Sequence, residues 1–397
     1  MRKVGKFLFV GVVIMIISFA WSTESPQKFW KGNMHTHSYW SDGNTFPEEV
    51  AWWYKSHGYH FLAVTDHNIL QEGEKWYNVD RNKIVSENYE NYLEHFGGLG
   101  LETEIRGEQL WAKLRTLEEY RQQFEKPGEF LLIGAEEITD AAEKRPVHLN
   151  GINLSTIVDP TKGELVPDCL RSNVERIREA LAKDGNPEWI IVNHPNFGWA
   201  LTAEDIAKSG ARFFEVYNGH PSVRNYGDES HQSTEEMWDQ ANKWRMKNGE
   251  ALLLGIANDD SHHYLVFQPG RANPGRGWSM VRSQELTPHA LYQAMIKGDF
   301  YSSTGVELKD FVRTGKQIRI RINPEKGVEY RTRFIALLNG ADDAEVVHEQ
   351  TGTRAKYVFK GNELFVRAKV ISSKLHENPF QEGDLEVAWI QPVQLKK

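Results

Sequence analysis

Short apolar runs that end abruptly in polar residues recur between about residues 28 and 305. Five such runs, each with its polar cluster, are FLAV before Thr65-Asp66-His67-Asn68, FLLIGA before Glu136-Glu137, WIIV before Asn193-His194-Pro195-Asn196, FFEVY before Asn218-Gly219-His220, and ALLLGIA before Asn258-Asp259-Asp260-Ser261-His262. Runs of this length are typical of buried strands, and helical stretches lie between several of them. Buried strands that alternate with helices predict a parallel α/β architecture. In α/β barrels the functional side chains lie at the carboxyl ends of the strands, where these polar clusters fall.

Local signals predict helices between these strands. Thr45-x-x-Glu48 is typical of a capping box, so one helix is expected to begin at Thr45 and to end at Gly58. Another is expected near Asn173–Lys183. The stretch 69–129 is too long for a bare loop. We interpret it as an insertion that forms a lid or wall beside the functional site and contains a helix over Gln109–Glu125.

After about residue 306 the pattern changes to an alternation of apolar and polar residues with period two. The alternating segments, which are separated by turn residues, are Gln317–Ile322, Glu329–Leu338, Ala355–Lys360, Glu363–Ile371 and Leu385–Ile390. Alternation of this kind indicates antiparallel strands. The sequence therefore predicts an α/β domain over residues 23–306, followed by a small β-sandwich accessory domain over 307–397.

The charge balance and the cysteine content narrow the choice of function. The chain has 47 Lys and Arg against 55 Asp and Glu, a net charge of −8, and no long basic run follows its first few residues. Binding to a phosphate backbone depends on clustered basic residues, so no nucleic-acid partner is expected and a nuclease is disfavoured. Cys169 is the only cysteine, which excludes an internal disulfide. A lone cysteine is more often a small buried hydrophobic residue than a nucleophile.

The first 22 residues have the composition of a secretory signal peptide. Basic residues lead into the apolar run FLFVGVVIMIISFA, and Ala20-Trp21-Ser22 offers a small-x-small cleavage site. The run is shorter than the about 20 residues that a membrane span needs. We therefore expect an exported protein, periplasmic or secreted, with no membrane span in its mature chain. An uncleaved N-terminal anchor is the alternative.

Two pairs of residues with period-two spacing suggest a metal site. In a strand, residues i and i+2 point to the same face, so His35 and His37 project together, as do Asp260 and His262. Further imidazole and carboxylate groups occur at or near other predicted strand ends, namely Asp42, His67, Glu137, His148 and His194. Mixed ligands of these types suit Zn, Mn or Fe. Nine groups exceed the three or four that one zinc ion needs, which implies a multinuclear site.

The order of these motifs resembles that of the PHP (polymerase and histidinol phosphatase) superfamily. The stretch NMHTHSYWSDGNTFPEEVAWWYKSHGYHFLAVTDHN is similar to the opening of PHP domains, and GAEEIT, HLNGIN, NHPN and DDSHH follow in the expected order. The resemblance covers about residues 30–305, and a C-terminal β-domain resembles that of a subgroup of the family. It implies a distorted (β/α)7 barrel with three metal ions at the carboxyl ends of its strands, and hydrolysis of phosphoesters.

Carried over by motif, the resemblance implies a metal-ligand set of His35, His37, Asp42, His67, Glu137, His148, His194, Asp260 and His262. GAEEIT offers both Glu136 and Glu137; the family's pattern favours Glu137, but the sequence leaves this choice open. Of the set, His35, His37, Asp260 and His262 are the candidate catalytic residues. Asp66 is expected to orient a ligand. Glu215 and Asn218 either line the site or are structural.

The predicted function is metal-dependent hydrolysis of a small phosphoester, specifically a phosphomonoester. About three divalent transition-metal ions (Mn, Zn or Fe) would hold a bridging hydroxide that attacks the substrate. Arg271 or Arg276, which follow the last ligand in sequence, could hold a non-bridging phosphate oxygen. One alternative is hydrolysis of a carboxylic or carbamate ester at the same cluster, and another is a non-catalytic glycan-binding protein. The sequence does not identify the substrate, the metal in the cell or the oligomeric state.

Overall fold

The computed structural model describes residues 28–395, in which helices and strands alternate over the first two thirds. The elements up to residue 303 are β1 (Lys28–Asn33), α1 (Pro47–Ser56), β2 (Phe61–Ala63), β3 (Trp76–Asn78), α2 (Lys83–Phe96), β4 (Thr103–Arg106), β5 (Gln109–Lys113), α3 (Leu117–Phe124), β6 (Leu131–Ile133), β7 (Ala135–Ala142), β8 (Arg145–Ile152), α4 (Val166–Lys183), β9 (Ile190–Val192), α5 (Ala203–Lys208), β10 (Phe213–Asn218), α6 (Thr234–Lys247), β11 (Leu254–Asn258), β12 (Trp278–Ser283), α7 (Pro288–Ile296) and β13 (Phe300–Ser303). The remaining elements are β14 (Leu308–Thr314), β15 (Gln317–Ile322), β16 (Tyr330–Leu338), β17 (Glu345–Thr351), β18 (Arg354–Val358), β19 (Glu363–Leu375) and β20 (Leu385–Gln394). The predicted mixed α/β class with an all-β C-terminal region is confirmed. The predicted signal peptide, residues 1–22, lies outside the described residues.

Two sheets carry the strands that surround the polar clusters. In one, β1, β2 and β6 are parallel; in the other, β9, β10 and β11 are parallel, while β8 runs antiparallel to both β7 and β9. Two isolated bridges, Thr36 with Ser261 and His67 with Glu137, join the two sheets. The predicted parallel architecture therefore holds for β1, β2, β6 and for β9, β10, β11, but not for β7 and β8. The (β/α)7 barrel stays a prediction.

The insertion over residues 69–129 is a packed unit of mixed structure. Its strands form a three-stranded sheet in the order β3, β5, β4, accompanied by α2 and α3. The predicted helix over Gln109–Glu125 is wrong in its first half, which is β5. Thr116 begins α3 with a capping box that it forms with Glu119. Tyr92 and Tyr120 are fully buried in a cluster shared with α1, so the insertion packs as a wall against that helix.

The predicted start of α1 is also corrected. Its N-cap residue is Phe46, with no side-chain cap, and the Thr45 hydroxyl is buried without a hydrogen-bond partner. Glu48 instead accepts a hydrogen bond from Tyr92 (2.9 Å) and pairs with Arg115 (3.0 Å). Tertiary packing against the insertion has therefore overridden the local capping signal. Helix α4 begins at Val166, seven residues before the predicted start.

The C-terminal strands continue the first sheet. Strand β20 pairs antiparallel with β13, which gives a nine-stranded sheet in the order β17, β16, β19, β20, β13, β12, β1, β2, β6. A separate three-stranded sheet, formed by β14, β15 and β18, shares a buried apolar cluster with β16, β19 and β20. The predicted alternating segments are all strands, and the division into domains at residue 306 stays a prediction.

A buried ion-pair network ties the C-terminal strands to the α/β part. Arg367 on β19 is 3% exposed and donates to both carboxylate oxygens of Asp239 on α6, each at 2.7 Å. Its third nitrogen donates to Glu235 at 3.0 Å, and Lys369 pairs with the same carboxylate. Among residues 28–395, no helix has the length and apolar content to cross a membrane.

Candidate metal centre

The nine residues predicted as metal ligands lie together. His35 and His37 follow β1, Asp42 lies in the loop before α1, His67 follows β2, Glu137 is on β7, His148 is on β8, His194 follows β9, and Asp260 and His262 follow β11. They form four overlapping groups, in each of which one potential ligand atom per residue lies within 4.8 Å of the others: His37, Asp42, His67 and His262; His35, His37 and Asp260; His35, Glu137 and His194; and His67, Glu137 and His148. That these residues bind metal stays a prediction.

Two carboxylates connect the groups. Oε2 of Glu137 lies 3.3 Å from Nε2 of His35, 3.4 Å from Nε2 of His37 and 3.0 Å from Nδ1 of His67. Oδ1 of Asp260 lies 3.3 Å from Nε2 of His35 and 3.1 Å from Nε2 of His37. The groups also overlap, because His35, His37, His67 and Glu137 each belong to two of them, and such an overlap could hold several ions side by side.

Unsatisfied polar atoms at the centre of the cluster fit a bound cation. Nε2 of His35 and Oε2 of Glu137 are both buried, and neither has a hydrogen-bond partner. A buried polar atom without a partner costs about 1–3 kcal/mol, so two of them side by side call for a ligand. A divalent metal ion would satisfy both, and imidazole with carboxylate is a donor set that Zn, Mn and Fe accept.

Burial and neighbouring charges shift the pKa values of several candidate ligands. Burial raises the pKa values of Glu137 and Asp260, but the surrounding histidines outweigh it and hold both pKa values well below their ordinary range. Burial, with His262 and His67 nearby, lowers the pKa of His37 to about 3. Burial also lowers the pKa of His35, but nearby carboxylates outweigh it and raise the pKa. The carboxylates and His37 are therefore in their ligating forms, while His35 must release a proton when a cation binds.

The cluster has a buried floor and an open side. His35, His37 and Glu137 are fully buried, whereas the Asp42 side chain is 57% exposed and that of His67 is 25% exposed. Burial lowers the pKa of His67, but Glu137 and Asp42 outweigh it and raise this pKa to about 11. The cluster is therefore open to solvent at Asp42 and His67.

Strand alternation separates the two glutamates of GAEEIT. Glu137 points into the cluster, while Oε2 of Glu136 accepts a hydrogen bond from the backbone N–H of Val158 at 3.1 Å. Glu136 contacts none of the cluster groups, and burial raises its pKa to about 8. The geometry therefore favours Glu137 as the ligand, in agreement with the sequence-based preference.

Asp66 acts on the cluster through a serine. Its carboxylate accepts hydrogen bonds from Ser38 (2.7 Å), Ser41 (2.6 Å) and Gln71 (2.6 Å). The Ser41 hydroxyl in turn lies 3.5 Å from Nδ1 of His37. Asp66 thus supports the loop that carries His37 and Asp42, and its influence on the orientation of His37 is indirect.

Arg276 does not have the free donors that a phosphate anchor needs. It is fully buried, and all five of its N–H groups donate to protein oxygens. The acceptors are the carbonyls of Gly219 (2.8 Å), Gln268 (3.1 Å), Asn378 (3.3 Å) and Arg271, together with Oδ1 of Asn378 (3.3 Å). We therefore correct its predicted role: Arg276 holds loops together. Arg271 is exposed, so its substrate-binding role stays a prediction.

Glu215 and Asn218 on β10, with His220 just after it, lie closer to the candidate ligands than the sequence alone indicated. Glu215 is fully buried against the metal centre, and Asn218 donates to Oδ2 of Asp260 at 3.1 Å. The His220 ring centroid lies 5.3 Å from that of His262. The available signal was the charged Glu215 inside the apolar run FFEVY, because an ionisable residue in a buried strand needs partners.

Comparisons with known proteins give a small set of similar structures. No family model matches the chain, and no curated protein matches it. A two-domain protein from Bacteroides vulgatus, described as containing a PHP-like metal-dependent phosphoesterase, is 14% identical with a TM-score of 0.40, over 92% of this chain and 95% of that one. A structure from Bifidobacterium adolescentis, described among the metal-dependent phosphoesterases, is 12% identical with a TM-score of 0.30, over 58% of this chain and 87% of that one.

An amidohydrolase from Chromobacterium violaceum with bound sulfate and no metal is also similar. It is 13% identical with a TM-score of 0.27, over 58% of this chain and 87% of that one. The first two descriptions name the metal-dependent phosphoesterases, the class that the motifs of this chain resemble. Because the identities and TM-scores are low, the residues of the site decide which reaction the chain supports.

Proposed function

We propose that the chain is a metal-dependent phosphomonoesterase whose cluster holds about three divalent ions, Mn, Zn or Fe. The observation that carries this proposal is the sharing of His35, His37, His67 and Glu137 between the groups of candidate ligands, each of these residues belonging to two groups. Nine donors in four overlapping groups suit several adjacent ions better than one, since a single zinc takes four ligands. When bound, such ions act as Lewis acids and lower the pKa of a coordinated water to near neutrality.

The charge of the ligand set favours a phosphate ester over a carboxylic ester. Only three of the nine donors are carboxylates, Asp42, Glu137 and Asp260. Three divalent ions would therefore leave the cluster with a net positive charge, which complements a dianionic phosphate and the charge that develops during its hydrolysis. This positive charge would stabilise a neutral carbonyl group less.

The protein side chains then have distinct tasks. The buried floor of His35, His37 and Asp260 holds donors in fixed positions and excludes water from below. Phe197 lies against the rings of His148 and His194, with centroids 6.3 and 5.2 Å away, and shields that flank of the cluster. The substrate approaches from the open side, where Asp42 and His67 reach solvent.

Hydrolysis of p-nitrophenyl phosphate by metal-loaded protein tests the proposal. We expect turnover with Mn, Zn or Fe, its loss with a chelator, and faster cleavage than of p-nitrophenyl acetate. H37A and D260A should lower kcat by several orders of magnitude, because H37A removes a donor that two groups share and D260A removes the carboxylate next to His35 and His37. H289A is a matched control, since His289 is exposed and outside the cluster.

Two results would favour a different function. Cleavage of carboxylic esters without turnover of any phosphoester would identify an esterase that uses the same cluster. Stable metal binding without turnover of either class would favour the glycan-binding alternative. Metal analysis of the wild-type protein that finds one ion or none would contradict the multinuclear centre.

We also propose that the protein is exported and loses residues 1–22. The support is the charged start, the short apolar run and the small residues at Ala20 and Ser22. N-terminal sequencing of protein from its native host should begin near Thr23. An intact Met1 on cytoplasmic protein would contradict this proposal.

A further inference from the structure

Glu215 is surrounded by hydrogen-bond donors. It lies on β10, is fully buried, and each of its oxygens has two partners. Oε1 lies 2.7 Å from Nδ1 of His35 and 2.9 Å from Nδ2 of Asn258. Oε2 lies 2.8 Å from the backbone nitrogen of His194 and 2.8 Å from Nδ2 of Asn218. An ionised carboxylate has about four acceptor positions, so this environment uses its full capacity.

The bond to His35 decides which ring nitrogen faces the cluster. An ionised carboxylate only accepts hydrogen bonds, so Nδ1 of His35 must carry a proton and donate it to Glu215. Nε2 is then the atom left for a cation, and it lies 3.3 Å from Oε2 of Glu137 and 3.3 Å from Oδ1 of Asp260. The orientation of the ring thus agrees with the unsatisfied atoms at the centre of the cluster.

The same carboxylate reaches two further candidate ligands. It accepts from the backbone N–H of His194, and Asn218 bridges it to Oδ2 of Asp260 at 3.1 Å. Glu215 on β10 therefore connects residues that follow β1, β9 and β11.

We infer that Glu215 is a positioning residue of the metal centre, one that fixes the ring of His35 and, through Asn218, the carboxylate of Asp260. This inference rests on the proposed metal-dependent function. A partner that orients a metal-binding histidine contributes about 10–100-fold to metal affinity or activity. Glu215 does not touch the substrate, and its effect passes through His35 and Asp260.

The overlap of the groups makes the expected effect selective. His35 belongs to two groups, His35–His37–Asp260 and His35–Glu137–His194, and Asp260 belongs to the first of them. Neither residue belongs to the other two groups, which contain His67. Removing Glu215 should therefore weaken the binding of some ions and leave another ion bound. General unfolding would instead release all of them together.

The substitution E215Q tests this selectivity with almost no change in volume. A glutamine places an NH₂ group at one of the two oxygen positions, and both positions face donors only. Either orientation of the amide therefore breaks two of the four hydrogen bonds. E136Q is a matched control: Glu136 is equally buried on β7 of the same sheet, contacts no cluster group, and a glutamine oxygen can still accept from Val158.

Metal content and affinity, measured by competition with a chelator, provide the first readout. We expect wild type and E136Q to bind about three ions alike, and E215Q to bind at least one ion about 10–100-fold more weakly while retaining another. Equal affinities for all three proteins would overturn the inference and leave the proposed function standing. Absence of metal from the wild type would overturn both.

The zinc-loaded wild-type protein gives a second readout that does not depend on a variant folding. Nitrogen-15 NMR of its histidines should show His35 bound to zinc through Nε2, with a hydrogen-bonded proton on Nδ1. Zinc on Nδ1 of His35 would overturn the inference, because Glu215 could then accept no proton from the ring. Where E215Q folds, circular dichroism like that of wild type and a shifted His35 proton signal are expected.

Discussion

Replacing Arg276 tests whether this residue stabilises the fold, as its contacts indicate, or binds substrate. If Arg276 held a phosphate oxygen, as the sequence suggests, its loss would raise KM. The structure instead surrounds its guanidinium with five acceptor contacts and leaves no donor free. We therefore predict that Arg276→Met lowers stability and leaves KM for a phosphoester within about twofold of the wild-type value.

The size of the loss follows from the contacts. Hydrogen bonds to a charged group contribute about 1.5–3 kcal/mol each. The loss of all five costs less than their sum, because the structure relaxes and water can replace some of the lost bonds. Breaking a buried charged network in practice costs about 3–5 kcal/mol. At about 2–3 °C per kcal/mol for a chain of this size, Tm should fall by roughly 6–15 °C.

Denaturant and thermal unfolding followed by circular dichroism measure the stability, and initial rates well below Tm measure KM. Arg271→Met is the matched control, because Arg271 follows the same ligand, is exposed, and has no side-chain hydrogen bond among the described residues. It should change stability by less than about 0.5 kcal/mol. If Arg276→Met raised KM tenfold with a loss of stability below 1 kcal/mol, the structural role assigned to Arg276 would be wrong.

Three further predictions concern metal removal, pH and the C-terminal strands. A chelator should lower Tm, because a ligand present at 100 times its Kd stabilises the folded protein by about 2.7 kcal/mol; an unchanged Tm would argue against bound ions. Burial raises the pKa of Glu235, but Lys369 and Arg367 outweigh it and lower the pKa from 4.5 to about 2. The folded-state pKa is depressed, so this stabilisation is complete above about pH 4.5 and is lost as pH falls towards about 2. Over that window the unfolding free energy of wild type should fall by about 3 kcal/mol relative to E235Q, as measured by denaturation at each pH. Arg367→Met should cost about 3–5 kcal/mol, because it leaves Asp239 buried without its partner, and adding D239N should recover part of the loss in the same assay.

The candidate ligands could be predicted because their signals are local. Period-two spacing places His35 with His37, and Asp260 with His262, without knowledge of any distant contact. The apolar runs before His67 and His194 mark strand ends, and strand ends in α/β folds converge on one region. The same alternation separates Glu137 from Glu136 once β7 is known to be a strand.

The errors occurred where distant residues decide the outcome. Thr45 has a good capping sequence, but Phe46 packs against Tyr39 and Tyr92, and Glu48 turns towards Tyr92. The antiparallel direction of β8 depends on its pairing with β7 and β9, which no local pattern encodes. The partners of Arg276 come from three separate loops, so its burial could not be read from the adjacent sequence.

Those partners also connect the C-terminal strands to the metal centre. Asn378, between β19 and β20, accepts from Arg276, and Arg276 donates to the carbonyl of Gly219, directly after Asn218. Asn218 contacts both Glu215 and Asp260. The region after residue 306 thus supports, through one arginine, the loop that carries the polar neighbours of the candidate ligands. Because loops that lack such support open with low free energy, we expect the C-terminal strands to stabilise the region of the candidate ligands, although none of the nine lies within them.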